Sequence, residues 1–215
     1  MIELQTKNDH TKKLGIYAES VKATRKDIDL AVEIAEYMDA QAEEWGRKFD
    51  RKAWAIAHAQ ITDSPEPKRI FVVHPELNEP EAKDTKAFFI SRFIFNAELL
   101  EAPTHITKTR YVRKTVLNEK TGKREIQKDV PEEVRTSNVI PMKEGCMSFP
   151  LRKPKNVDRV YRVKVRYWYP MTWLGFKFLW RKTEWVEGLK AQIFAHECEH
   201  FEGNNIYYRN DDKDD

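Results

Sequence analysis

The chain has 215 residues, a net charge of only +3 although 34% of its side chains are charged, 12% aromatics and ten prolines. That length supports one domain with insertions and a sizeable core, and the aromatic content excludes a disordered chain. The balanced charge selects no class of partner. No apolar run approaches a membrane span, so no membrane partner is expected, and the stretch from Met1 to Leu14 is too polar for a secretory signal. With Cys146 and Cys198 as the only cysteines, reduced thiols in the cytoplasm are the expectation.

Residues 1–13 read as a polar arm. From Asp27, Leu30, Ile34, Met38 and Trp45 recur at helical spacing with Ala31, Ala35 and Ala42 between them. This predicts an amphipathic helix that Gly46 would stop. Residues 53–61 (A-W-A-I-A-H-A-Q-I) alternate small and larger side chains, a pattern that permits close backbone approach. Segments 69–73 and 88–96 read as strands, and Pro65, Pro67, Pro75 and Pro80 punctuate the links.

Residues 103–137 alternate loosely around a turn signal at 118–123. They predict a charged hairpin or extended loop protruding from the body. Its Lys and Arg excess suits either contact with nucleic acid or a solvated arm. After Val139 comes E-G-C-M-S-F-P at 144–150. In the next strand Val163, Val165, Tyr167 and Tyr169 share one face, with Arg162, Lys164 and Arg166 on the other. Residues 173–180 read as a further strand with a bulge at Gly175. A last helix is expected from about 184 to 202, N-capped by Thr183 and ended by Gly203 and Asn204. Residues 210–215 form an acidic tail. The fold class is α+β: antiparallel β-sheets packed around a C-terminal helix, with an N-terminal amphipathic helix, in one domain over 1–215.

The last helix carries H-E-C-E-H at 196–200. Histidines at i and i+4 lie one above the other on one helical face, so His196 and His200 can grip one metal ion, with Glu197 placed to reach a water. A solvated face with two chance histidines is the bland alternative. A catalytic site needs a third ligand, and Cys146, Cys198, Glu202 and His74 are candidates. Cys198 lies two residues from each histidine and so points away, as a small buried hydrophobe would.

E-G-C-M-S at 144–148, followed about fifty residues later by H-E-x-x-H, resembles the two signature motifs of peptide deformylases. Residues 53–60 are similar to that family's first motif, G-x-G-x-A-A-x-Q. Here Ala53 and Ala55 replace the glycines and His58 replaces an alanine. Asn96-Ala97-Glu98-Leu99 resembles the family's N-P-x-I, and Gly188-Leu189-Lys190-Ala191 its G-L-x-A. Ala195 and Glu199 stand where Gln and Asp are usual. The match covers about 27–207 apart from 103–137, which reads as an insertion.

The resemblance implies removal of the formyl group from N-formylmethionine of newly made polypeptides. It implies Cys146, His196 and His200 as metal ligands and Fe²⁺ as the ion, with Zn²⁺ a less active occupant. Glu197 would be the general acid and base, and the Gln60 amide and Met147 N–H would stabilise an oxyanion. Trp54, Met142, Leu189, Gln192 and Ile193, with Ala55 and the Glu144–Gly145 backbone, would bind substrate, and Arg159 would support Glu144. The expected partners are formylated nascent peptides and the ribosome surface, and the expected state is a monomer. The competing readings are a zinc endopeptidase and an inactive deformylase-like binding module.

Overall fold

The computed structural model describes residues 18–21, 24–49, 52–61, 66–117, 122–149, 151–173 and 176–207. The arm at 1–13, the tail at 210–215 and the expected bulge at Gly175 lie outside them.

Helix α1 (Arg25–Phe49) is followed by β1 (Ala55–Ala57), β2 (Ile70–Val73) and β3 (Phe93–Glu101). Two strand pairs follow: β4 (His105–Leu117) with β5 (Arg124–Ser137), and β6 (Val139–Glu144) with β7 (Lys155–Val160). The long strands β8 (Arg162–Trp173) and β9 (Phe176–Glu187) lead into helix α2 (Gly188–Phe201). The main sheet is antiparallel in the order β1-β2-β3-β8-β9. The mixture of antiparallel sheets and a C-terminal helix is the α+β class expected.

The period of two along β1 to β3 sends apolar side chains to both faces of this sheet. Ile56, Ile70, Val72 and Phe95 pack against Ala31, Ile34, Ala35 and Met38 of α1. Ala57, Phe71, Val73 and Ile94 pack with Ile193, Phe194 and Phe201 of α2. The alternation in β8 holds: Val163, Val165, Tyr167 and Tyr169 join the α2 side. On the opposite face Lys164 and Arg166 pair with Glu101 and Glu98.

Three boundaries differ from expectation. Gly46 does not stop α1, which continues to Phe49, with Glu43–Arg47 and Glu44–Lys48 ion pairs spanning the glycine. Residues 88–92 are not strand. Ala87 and Phe89 are drawn into the core as loop, with the Phe89 N–H bonded to the Leu77 carbonyl, and the ladder begins at Phe93. Thr183 caps no helix, because β9 stays paired to β8 from Thr183↔Arg166 to Glu187↔Arg162. Gly188, at φ +58°, makes the turn that L-residues resist and launches α2. At the far end Gly203 adopts φ +71°. Its N–H bonds the His200 carbonyl, and the Asn204 N–H bonds that of Glu199, ending the helix as expected.

The 103–137 segment is a hairpin. β4 and β5 pair from His105↔Ser137 to Leu117↔Arg124, with a register shift beside Asp129, at φ +57°. Among the described residues no third strand joins this ribbon. Its base is fixed by Asn138, whose side-chain amide exchanges two 2.8 Å hydrogen bonds with the Arg162 backbone. Among the described residues no helix is long and apolar enough to cross a membrane.

Candidate metal centre

Helix α2 presents His196 and His200 with their Nε2 atoms 3.3 Å apart. The turn after β6 delivers Cys146, whose Sγ stands 3.5 Å from His200 Nε2. The donor atoms of all three lie within 4.8 Å of one another. A tetrahedral ion at about 2.3 Å from sulfur and about 2.0–2.1 Å from nitrogen separates S and N by about 3.5 Å and N and N by about 3.3 Å. The cage therefore fits such an ion.

The other three candidates are not in the cage. Cys198 turns its Sγ toward the Ala97 carbonyl at 3.7 Å, and burial pushes its thiol up to about 12. The His74 ring meets the Trp54 ring edge-on, and Glu202 is exposed at the helix end.

Around the cage several side chains are held by hydrogen bonds. Arg159, on β7, donates Nε and Nη2 to the two oxygens of Glu144, each at 2.8 Å. The same guanidinium donates to Glu199 at 2.6 and 2.8 Å. Glu144 in turn meets His196 Nδ1 at 3.1 Å, which fixes that ring and leaves its Nε2 toward the cage. Burial pushes the Glu144 carboxyl up, but Arg159 and His196 outweigh it and hold it at about 2. Gln60 accepts the Ala57 N–H through Oε1 at 2.7 Å. Its Nε2 then faces Cys146 Sγ at 3.5 Å and Ser148 Oγ at 3.2 Å. Glu197 is different: it is 3% exposed, its Oε2 has no hydrogen-bond partner among the described residues, and burial pushes its carboxyl up to about 7.

Residues 4–215 match the model of the family described as polypeptide deformylase. The chain belongs to that family. A peptide deformylase from Thermotoga maritima shares 21% identity and superposes at a TM-score of 0.54, with 97% of each chain covered. A class I type b peptide deformylase from Acinetobacter baumannii, solved with Met-Ala-Ser bound, shares 19% identity at 0.55 and covers 97% of this chain and 99% of its own. The deformylase of the Vibrio parahaemolyticus bacteriophage VP16T, solved with actinonin, shares 19% at 0.56 and covers 95% and 99%. At these identities the structures establish a shared fold.

A cleft of about 330 Å³ opens onto His196 and Glu197 of this deformylase-family chain. Trp54, Ala55, Glu144, Gly145, Met147, Leu189, Gln192 and Ile193 line it. Met142 is not among the lining residues: it lies further back on β6, paired with Val157. Trp45, Lys52, Lys143 and Pro154 also line the cleft, and the sequence reading did not include them. Nor did it include Ser148 as a partner of Gln60, or Glu199 as a partner of Arg159. The unusual His58 has a structural use: its Nδ1 accepts the Lys68 N–H at 2.8 Å and ties the Gln60 turn to the start of β2. The altered first motif therefore still delivers Gln60 to Cys146.

Proposed function

We propose that this chain hydrolyses the formyl amide of N-formylmethionine at the start of newly made polypeptides, releasing formate. The observation that carries the reading is the buried, unpartnered Glu197 Oε2 beside a three-donor cage. A buried carboxyl costs free energy unless it has work to do, and a proton affinity near neutrality suits a group that must both take and give a proton.

Cys146, His196 and His200 would hold the ion, Fe²⁺ by family resemblance, with Zn²⁺ as the less active occupant. When bound, that ion supplies Lewis acidity and a hydroxide nucleophile at neutral pH. Glu197 takes a proton from the attacking water and delivers it to the leaving amine. The Gln60 Nε2 and the Met147 N–H donate to the formyl oxygen as negative charge builds on it. Leu189, Gln192, Ile193 and Trp54 wall the methionine side chain, while the backbone at Ala55 and Glu144–Gly145 aligns the peptide. Arg159, gripping Glu144 and Glu199 at once, keeps His196 oriented.

Such a substrate suits a cytoplasmic protein acting near emerging chains, and we read it as a monomer. The basic β4–β5 ribbon is suited to an anionic partner there, with ribosomal RNA the candidate. Anaerobic purification, metal analysis and formate release from a formyl-methionyl tripeptide test the reading. Cleavage of internal peptide bonds without formate release would favour an endopeptidase, and neither activity would leave a binding module.

A further inference from the structure

The cleft that opens onto His196 and Glu197 presents charge of one sign to whatever follows the methionine. Its two carboxylates are already engaged: Glu144 is gripped by Arg159, and Glu197 lies buried beside the cage. Its lysines are Lys52 and Lys143. Lys52 lies over the Trp54 ring at 4.7 Å and pairs with Glu76. Lys143 is exposed and has no carboxylate partner among the described residues. The run 143–155, which also supplies Pro154 to the cleft, holds four Lys or Arg against the single carboxylate of Glu144.

Among the described residues β6 pairs only with β7, which leaves its second edge for a peptide. The Lys143 carbonyl accepts from Gln192 Nε2 at 3.2 Å, so its backbone is part of the cleft wall. The flexible four-carbon stem keeps the amine within about 8 Å, one Debye length, of that wall. Side chains of an extended chain alternate. In a peptide aligned along Glu144–Gly145, the methionine side chain enters the apolar slot and the next one points away from it. Along β6 the same alternation turns Glu144 inward to Arg159 and Lys143 to the opposite face. The acid on that face, Asp158, stands opposite Pro141, further from the Glu144–Gly145 end that lines the cleft.

We propose that Lys143 makes this site select an acidic side chain at the second position of the formylated peptide, directly after methionine. The proposal rests on the deformylase reading and names the class of chain on which the site acts best. Attraction between exposed charges is modest, and it is present in the bound peptide before any bond breaks. It therefore shows in KM rather than in kcat. Asp or Glu gains the attraction and Lys or Arg is repelled, so the two effects multiply when those peptides are compared. Lys52 adds little to the choice, since Glu76 already neutralises it.

The test is formate release by the metal-loaded full chain from formyl-Met-Asp-Ser, formyl-Met-Ala-Ser and formyl-Met-Lys-Ser. The kcat/KM should fall in that order, with about a threefold to tenfold spread between first and last, carried by KM and reduced by added salt. Lys143→Met should narrow the spread, and Lys143→Glu should reverse the order. Binding of the products Met-Asp-Ser and Met-Lys-Ser, followed by the emission of Trp45 and Trp54 in the cleft, is a second readout that needs no turnover. Formate release at equal kcat/KM from all three peptides overturns the proposal and leaves the deformylase reading standing. So does an order that Lys143→Glu leaves unchanged, or a preference for the Lys peptide. No formate from any peptide, with product binding that favours Asp and reverses in Lys143→Glu, overturns the deformylase reading and keeps the charge selection. Absence of both overturns the two together.

Discussion

Arg159 and Glu144 face each other with two parallel 2.8 Å hydrogen bonds, and both side chains are almost wholly buried. They sit on adjacent strands of one ladder, yet are not opposite each other: Arg159 is opposite Ile140, and Glu144 is opposite Lys155. The guanidinium therefore reaches along the sheet to the residue that precedes the Gly145–Cys146 turn. Removing it leaves a buried carboxylate without its counter-charge and frees His196. Arg159→Ala should cost about 3–5 kcal/mol of stability and weaken metal binding by about 10–100-fold. Arg159→Lys should recover little, since an ammonium cannot make the paired contact with Glu144 and Glu199 together. Thermal unfolding and competition with a chelator measure both effects.

Metal content distinguishes the two cysteines. Anaerobically purified Cys146→Ala, His196→Ala and His200→Ala should carry almost no metal. Cys198→Ala should carry a full complement, because its Sγ faces Ala97. Loss of metal in Cys198→Ala with retention in Cys146→Ala would reverse the ligand assignment.

Glu197→Gln keeps the shape and removes the proton acceptor. Metal content should be unchanged and turnover should fall by about two to four orders of magnitude. Turnover near that of the parent chain would remove Glu197 from the mechanism.

What could be read from the residues was what repeats locally. H-E-x-x-H declares its geometry because a helix brings i and i+4 together whatever surrounds it. The alternation of Val163 to Tyr169 announces a strand with one buried face for the same reason. The start of α2 was not legible. Residues 183–187 fit either period, and only the pairing of Thr183 with Arg166, 17 positions earlier by residue number, makes them strand. Contacts across long sequence separations were hidden altogether. Gln60 meets Ser148 across 88 positions and Arg159 meets Glu199 across 40. Nothing in either neighbourhood signals those bonds. The 88–92 loop reads as strand because its aromatic content is a core signal, and core signals do not specify a strand.

Near the start of α2, Glu184 accepts from Tyr167 Oη at 2.7 Å and from Lys190 Nζ at 2.8 Å. Burial pushes the Glu184 carboxyl up, but Lys190, Tyr167 and Lys182 outweigh it and the net shift is downward. A carboxyl held below its unfolded value stabilises the fold above that value, near 4.5, and the contribution fades as pH falls through the folded value. Glu184→Gln should therefore lower the melting temperature at pH 7 and flatten its decline below pH 4.5. Lys190→Met in the same chain should recover part of the loss at neutral pH, because it removes the buried charge left unpaired. Melting curves across pH for the three chains decide; parallel decline in parent and Glu184→Gln would show that the carboxylate contributes nothing.

The β4–β5 ribbon can be removed without disturbing the base that holds it. Ile106 is buried and Lys108 lies over the Tyr161 ring at 4.1 Å, so both should stay. Lys108 and Val134 are directly opposite, so an Asn-Gly pair can join them as a two-residue turn that matches strand twist. Tyr111, Leu117 and Ile126, all more than 60% exposed, leave with the deleted part. Their exposure means the core loses little. The shortened chain should melt close to the parent and keep its turnover of a formyl-methionyl tripeptide, since every donor of the cage and every residue of the cleft lies outside the ribbon. Co-sedimentation with ribosomes should fall, and in the parent it should weaken steeply with added salt, as contact with phosphates requires. A ribbon that instead braces the sheet predicts a lower melting temperature and lost tripeptide turnover together. Unchanged co-sedimentation with both properties intact would assign the ribbon to neither task.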